Sequence, residues 1–216
     1  MSGESVSPVR LVGTLAVAGL LSGIVLVSVY LWAAPRIATN RADALRAAVL
    51  RALPGSVSSR PLVVREGRLV PYEGPEGTLP EEEAVYAGYD AQGRLVGYAV
   101  PAAGPGFMDT IALIYGLDPD RRVIVGMEVL DSRETPGLGD RIVSDPDFHA
   151  NFRALAVEPA IVPVKKGEKS APNEVDCITG ATISSEAVVS IINRSLETWK
   201  DRLLTGAAEE GAAEAQ

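Results

Sequence analysis

The sequence predicts an α+β protein, in which one apolar helix precedes an antiparallel sheet with helices packed on it. Three observations carry that expectation. Residues 11–35 contain no charged side chain. Between residues 84 and 130, two pairs of apolar runs each flank a short turn rich in Asp, Gly or Pro, which is the pattern of hairpins. From Thr182 onward, apolar residues recur at three- and four-residue spacing, the period of an amphipathic helix. Strands grouped together and helices at the ends suit α+β rather than alternating α/β architecture.

The elements follow in order. Residues 1–10 form a short tail. Leu11–Pro35 reads LVGTLAVAGLLSGIVLVSVYLWAAP, bracketed by Arg10 and Arg36. Some twenty helical residues at about 1.5 Å each span a hydrocarbon core of about 30 Å. The run exceeds the roughly 7–15 apolar residues of a cleaved signal peptide, so an uncleaved anchor is the expectation. Tyr30 and Trp32 fall where an interfacial aromatic belt would lie. Gly19 and Gly23 make a GxxxG spacing that would let a partner helix approach, although glycine is also simply frequent in such helices.

Residues 36–83 read as a juxtamembrane helix and a connecting segment. The helix, IATNRADALRAAVLRAL, sets Ala38, Leu45, Val49 and Leu53 near one face and stops at Pro54-Gly55. Two strand-like runs follow, RPLVVREG and RLVPYEG, then the loop PEGTLPEEE, whose Glu81-Glu82-Glu83 reads as a solvated edge.

Residues 84–204 read as the folded domain. Ala84–Tyr89 and Arg94–Val100 flank the turn at 90–93; Thr110–Leu117 and Arg122–Leu130 flank the turn at 118–121. PAAGPGFMD joins the two hairpins as a loop. A short helix is expected around Pro146–Phe152, a strand at Ile161–Val164, and a polar loop at KKGEKSAPNE. The closing helix runs from Thr182 to about Leu203, with Ile183, Ala187, Ile191, Val188, Ile192 and Leu196 facing the core. Residues 205–216, Ala/Glu-rich, are expected to be a disordered acidic tail.

Composition excludes several function classes. The formal net charge of -8 disfavours nucleic acid, whose phosphates recruit basic surfaces. One cysteine, Cys177, rules out an intrachain disulfide and a multi-thiolate metal site. The one histidine, His149, stands near Asp145 and Asp147, but it reads as part of a solvated helix face rather than a metal ligand. No metal site and no catalytic residue is expected.

Two motifs could carry chemistry. The first is Asp176–Val188, DCITGATISSEAV, which sets Thr179, Gly180, Ala181 and Thr182 just ahead of a helix, with Ser184 and Ser185 behind. A helix start offers free N–H groups and a positive dipole end, which suit a phosphate. Thr182 is expected at the N-cap. Simple capping accounts for such a residue equally well and is the commoner use. The pattern lacks the glycine spacing and lysine of a Walker loop. The second motif is ETPGLG, Glu134–Gly139. Pro136 stiffens a turn, and Gly137 and Gly139 allow close backbone approach, so a planar ring could lie against it. A rigid strand-to-helix turn explains those residues as well.

Together, ETPGLGD at Glu134–Asp140 and D-x-x-TGAT-x-S at Asp176–Ser184 resemble the FMN-binding domain family of bacterial membrane redox complexes, most of all the G subunit of the Rnf (Rsx) type. The resemblance extends to about Leu203 and implies an FMN-binding domain over 84–204. It implies FMN joined through its phosphate to Thr182, with Asp176, Thr179, Gly180, Ala181 and Ser184 framing the acceptor. Glu134, Thr135, Gly137, Leu138 and Gly139 would lie by the ring. Thr179 stands where the family often has Ser. Cys177 would be a small buried spacer.

The same resemblance implies an electron-transfer subunit of a ferredoxin/NAD-type complex that moves ions through other membrane subunits. It also implies a flavin transferase, dependent on FAD and Mg²⁺, for maturation. The domain would then be extracytoplasmic. The arginines at 36, 41, 46 and 51, against Arg10 alone before the span, argue for the opposite orientation. Two alternatives stand beside this reading. One is the related C-type component of a Na⁺-translocating NADH:quinone oxidoreductase. The other is a flavin-free membrane-anchored sensor or scaffold. A hydrolase is disfavoured because the TGAT loop has no base near it in sequence.

Overall fold

The computed structural model describes residues 7–74, 79–80 and 82–213. The chain divides into two compact units, Met1–Asp43 and Ala44–Gln216. Helix α1 runs unbroken over Pro8–Ala52. Two successive helices were expected on either side of Pro35. Proline cannot donate to the carbonyl four residues back, yet the helix continues through it, and the Thr39 hydroxyl donates to the Pro35 carbonyl at 3.0 Å. Among the described residues α1 is the one helix long and apolar enough to cross a membrane, and its apolar window is unburied. Within it, the Arg36 guanidinium lies 4.3 Å from the Trp32 ring centroid.

In the second unit, seven strands among the described residues form one antiparallel sheet. They are β1 (Ser58–Arg65), β2 (Arg68–Pro71), β3 (Ala84–Tyr89), β4 (Leu95–Pro105), β5 (Thr110–Asp118), β6 (Val123–Asp131) and β7 (Leu155–Ala156). Their order is β2-β1-β3-β4-β5-β6-β7. The sheet therefore begins upstream of the 84–204 span read from the sequence. β1 pairs with β3 at Leu62↔Val85, and Leu62 and Val63 are fully buried. In the loop expected over 75–83, Pro75–Thr78 and Glu81 lie outside the described residues; Glu82 and Glu83 are exposed.

Strand β4 is longer than the sequence suggested, taking in Pro101 and Pro105. The pairing with β3 ends at Tyr86↔Ala99, while β5 continues through Pro105↔Thr110. Past Ala99 the β3 side of β4 needs no donor, so prolines fit there without losing a ladder bond.

Strand periodicity divides the core. Val85, Tyr98, Val100, Leu113 and Tyr115 face α3 (Thr182–Ala213), packing with Val188, Ile192 and Leu196. Tyr86, Ala99 and Ile114, one step out of phase, face the end of α1 through Val49 and Leu53. That end sits on a floor of glycines. A Cβ on Gly116 would strike the Ala52 carbonyl oxygen, and one on Gly88 would come 2.6 Å from Leu53 Cδ1. The backbone contact is possible because those strands present no side chain there.

The remaining pieces are small. A 3-10 turn spans Gly139–Val143 and α2 spans Pro146–Ala150. Strands β8 (Val162–Val164) and β9 (Glu174–Asp176) pair in parallel. No strand was expected at β9, because three residues show no periodicity. Helix α3 continues past Leu203 to Ala213, where a disordered tail was expected; Ala and Glu are strong helix formers. Residues 214–216 lie outside the described residues.

Candidate functional site

Three turns converge at one end of the sheet. The first follows β6. The amide of Leu138 donates to the Thr135 carbonyl at 3.1 Å, with Pro136 and Gly137 between them and Gly137 at φ +76°. Proline then glycine at positive φ is the chemistry of a type II turn. The second follows β9. The amide of Ala181 donates to the Ile178 carbonyl at 2.9 Å, and Gly180 stands at φ +84°. Each motif thus spends one glycine on the same backbone requirement. The third joins β4 to β5, where the Gly106 amide donates to the Asp109 carbonyl at 2.8 Å.

Glu134, at the start of the first turn, binds the third turn and the helix start that follows the second. Its Oε1 accepts the amides of Phe107 at 2.9 Å and Met108 at 3.0 Å, and its Oε2 accepts the Ser184 hydroxyl at 2.6 Å. Glu134 is 5% exposed and Ser184 is 3% exposed. Burial pushes the Glu134 carboxyl pKa up. The Ser184 hydroxyl and the amides of Met108, Phe107 and Asp109 outweigh it and hold the group below the usual carboxylate range. Gly139 packs directly against this pair: a Cβ there would lie 2.7 Å from both Glu134 Oε2 and Ser184 Oγ, and a Cβ on Gly106 would strike Glu134 Oε1.

Thr182 is not the N-cap that the sequence suggested. The Ser185 amide donates to the Ala181 carbonyl at 2.9 Å, so Ala181 accepts the first helical bond and Thr182 is the first helical residue. Ala181 has no hydroxyl to cap with. Instead Ser185 Oγ accepts the Ile178 amide at 3.1 Å and donates to the Ala181 carbonyl at 2.9 Å. Thr182 is exposed, and no hydrogen bond of its hydroxyl is recorded among the described residues. The amides of Thr182, Ile183 and Ser184 lead the helix without intrahelical acceptors.

The surroundings are apolar and open. Phe107, Met108, Leu138 and Ile183 are 58%, 64%, 52% and 57% exposed. Ile183 was expected in the core stripe; it sits instead on the open side of the helix start, while Val188, Ile192 and Leu196 are buried. Leu138 lies against the TGAT turn, its Cδ2 3.8 Å from a Cβ built on Gly180. Thr179 is exposed, and its carbonyl accepts Arg141 Nη1 at 3.3 Å; Arg141 Nη2 is 2.7 Å from Asp145 Oδ2.

Asp176 turns elsewhere. Its Oδ1 accepts the amides of Gly167 and Lys169, both at 3.1 Å, so it orders the polar loop after β8. Cys177 is buried, and burial, with Glu186 and Asp176 nearby, pushes its thiol pKa up. His149 is not on a solvated face: it is half-buried, with ring nitrogens 3.1 Å from the Met127 carbonyl and 3.0 Å from the Ile142 carbonyl.

The sequence reading missed Phe107, Met108, Arg141 and the structural role of Ser185. One signal was available: Phe107 and Met108 are large apolar residues inside a Gly/Pro loop, where nothing in a turn requires them.

A flavin nucleotide asks for an apolar shelf for a planar ring and for donors toward a phosphate. The residues present fit that demand. Four exposed apolar side chains flank the two turns, and the α3 N-terminus offers amides and a positive dipole end. Asp140 Oδ1 is buried with no hydrogen-bond partner among the described residues, an acceptor available at the same loop.

The chain is similar to several known proteins. Residues 106–197 match the FMN-binding domain family. The G subunit of an ion-translocating oxidoreductase complex from Methanosarcina acetivorans is 36% identical over 112 residues, 52% of this chain and 56% of that protein. The G subunit of a Na(+)-translocating ferredoxin:NAD(+) oxidoreductase complex from Acetobacterium woodii is 35% identical over 125 residues, 56% of this chain and 58% of that protein. The matched stretch thus spans little more than half of either relative. The C subunit of the Na(+)-translocating NADH-quinone reductase from Parabacteroides distasonis superposes with a TM-score of 0.61 at 22% identity, covering 79% of this chain and 95% of that one. NqrC from Shewanella oneidensis superposes with a TM-score of 0.57 at 20% identity, covering 79% and 99%. At that identity the two structures speak for the fold alone. Residues 106–197, the stretch that matches the FMN-binding domain family, hold both loops and Thr182.

Proposed function

We propose that this protein is the flavin-carrying electron-transfer subunit of a membrane complex that couples a ferredoxin/NAD-type oxidoreduction to ion translocation, with FMN esterified to Thr182. One observation carries the reading: within the matched stretch, an exposed threonine with no capping duty leads a helix beside an apolar shelf. FMN, when bound, supplies reversible electron transfer; this chain supplies position and electrostatics.

Thr182 is the acceptor. A flavin transferase using FAD and Mg²⁺ would form the bond between Thr182 Oγ and the FMN phosphorus. The pyrophosphate linkage of FAD would break, AMP would leave and the hydroxyl proton would be released. The leading amides of α3 would steady the phosphate, and Phe107, Met108, Leu138 and Ile183 would hold the ring by apolar contact. A tether suits such an open site, since a loosely held cofactor would otherwise diffuse away. Asp176, framing the motif from β9, would be read by the transferase through the loop it orders.

The long apolar helix would anchor the protein among the other membrane subunits, with the domain extracytoplasmic. The C-type reading shares the fold, while G subunits are similar to this chain in sequence, at 35–36% identity.

The test is direct. The protein made with its native transferase is denatured and digested, and the peptide containing Thr182 is weighed. A mass increase of FMN less water on that residue supports the reading. An unmodified peptide from a fully active native complex would sink it.

A further inference from the structure

We propose that Glu134 is the positioning residue of this site: its buried carboxylate draws the Gly106–Asp109 turn, the Thr135–Leu138 turn and the first turn of α3 into one unit, and so sets the apolar shelf beside Thr182. The residue does not read the ligand itself. Both carboxylate oxygens are engaged inward, on Phe107, Met108 and Ser184.

The other links among these segments are exposed or longer: Arg141 Nη1 lies 3.3 Å from the Thr179 carbonyl, and Arg133 lies 3.7 Å from Asp109. Each turn is closed by its own backbone hydrogen bond, which fixes its shape but not its place relative to the other two. Charge-assisted bonds to a buried carboxylate are the strong kind. The amides of Phe107 and Met108 carry the two exposed side chains of the β4–β5 turn, so fixing those amides fixes that half of the shelf. Ser184 lies two residues from Thr182, so fixing its hydroxyl fixes the start of α3. The glycines at 106 and 139 clear the space in which the carboxylate sits. The ETPGLG motif therefore joins two jobs: Pro136 and Gly137 shape a turn, and Glu134 with Gly139 clamps that turn to its neighbours.

The test uses the full chain in detergent, as wild type, Glu134→Gln and Glu134→Ala. Glutamine is the discriminating variant. Its Oε1 can accept both amides, and its NH2 group can donate to a rotated Ser184 hydroxyl, so it keeps the geometry without the charge. Amide hydrogen exchange at Phe107 and Met108 is read first. Glu134→Ala is expected to accelerate it by about tenfold or more, and Glu134→Gln by no more than about threefold. Covalent flavin, measured after coexpression with the transferase, is expected to fall in Glu134→Ala and to be retained in Glu134→Gln.

A pH series adds a readout that bulk packing would not move. As pH falls through the folded pKa of Glu134, wild-type exchange, corrected for its intrinsic rate, should rise while Glu134→Gln stays level. The charged neighbours on these loops are Asp140, Arg141, Asp109 and Arg133, the last two 3.7 Å apart, with Glu186 on α3. All of them remain in the glutamine variant, so the difference between the two profiles reports Glu134.

Unchanged exchange in Glu134→Ala would overturn the proposal. So would fast exchange with undiminished flavin attachment, or a glutamine variant as exposed as alanine. If Glu134→Ala fails to fold, parallel acid profiles of wild type and Glu134→Gln overturn it, and divergent profiles support it. The flavin arm rests on Thr182 as acceptor. If wild type carries no flavin, that reading fails while the exchange and pH arms still decide the clamp.

Discussion

The amide of Ile178 donates to the hydroxyl of Ser185 at 3.1 Å, and through that one oxygen the TGAT turn is tied to the helix it precedes. Both residues are buried. Ser185→Ala leaves the Ile178 amide without a partner and out of reach of water. An unsatisfied buried donor costs about 1–3 kcal/mol. Thermal unfolding followed through the buried Trp199 should show that loss, with covalent flavin reduced but not abolished.

Thr182 gives the complementary expectation. Because Ala181 holds the cap position, no cap is lost when the hydroxyl is removed. Thr182→Ala should change stability by less than about 0.5 kcal/mol, as an exposed substitution does. Its covalent flavin should be absent by intact mass. A stable variant that still carries the full adduct would remove Thr182 from the reaction.

The glycine floor under α1 makes a sharp packing prediction. A Cβ at Gly116 meets the backbone carbonyl of Ala52, which cannot swing aside as a side chain would. Gly116→Ala should cost about 1–3 kcal/mol by overpacking. The cost should fall on folding of the Ala44–Gln216 unit. Urea unfolding measures it, and a neutral result would mean that the helix end does not rest on these strands.

Asp145 predicts an acid dependence. Burial pushes its carboxyl pKa up, but the amide of Phe148, the Arg141 guanidinium and the amide of Asp147 prevail and hold it below the usual carboxylate range. A depressed folded pKa contributes stability that is full above the unfolded value and is lost as pH falls through the folded one. Asp145 is also the N-cap of α2. Asp145→Ala should therefore cost about 1 kcal/mol or somewhat more at neutral pH. The gap to wild type should close as pH drops below the ordinary carboxylate range. Urea unfolding at a series of pH values tests both the size and the sign. A gap that stays constant into acid would show that the charge on Asp145 contributes nothing.

Hairpins, membrane-length helix and amphipathic helix were legible because each repeats a local period. The turns at Asp90–Gly93 and Asp118–Arg121 announced their strands, and the run 11–35 announced its helix. Each of the two motifs, taken alone, read equally as a helix cap or a rigid turn; the resemblance rested on the pair. What could not be read was anything set by distance in space. β1 joins the sheet only because β3 offers it an edge. Pro101 enters β4 only because the pairing of β4 with β3 has already ended at Ala99. Ile183 matches the helical stripe in spacing, yet it faces outward because the first turn of α3 stands clear of the sheet.

The site divides the same way. By itself the sequence determined that residues 134–139 would make a tight turn, because glycine and proline set φ locally, and that a helix would start at Thr182, because apolar residues recur at helical spacing beyond it. It could not determine that Glu134 binds Ser184, 50 residues away, or that Thr182 gives up the cap to Ala181. Those are tertiary decisions. They depend on which buried donors lack partners once the turns have come together, and burial is a property of the folded chain that no short stretch of it contains.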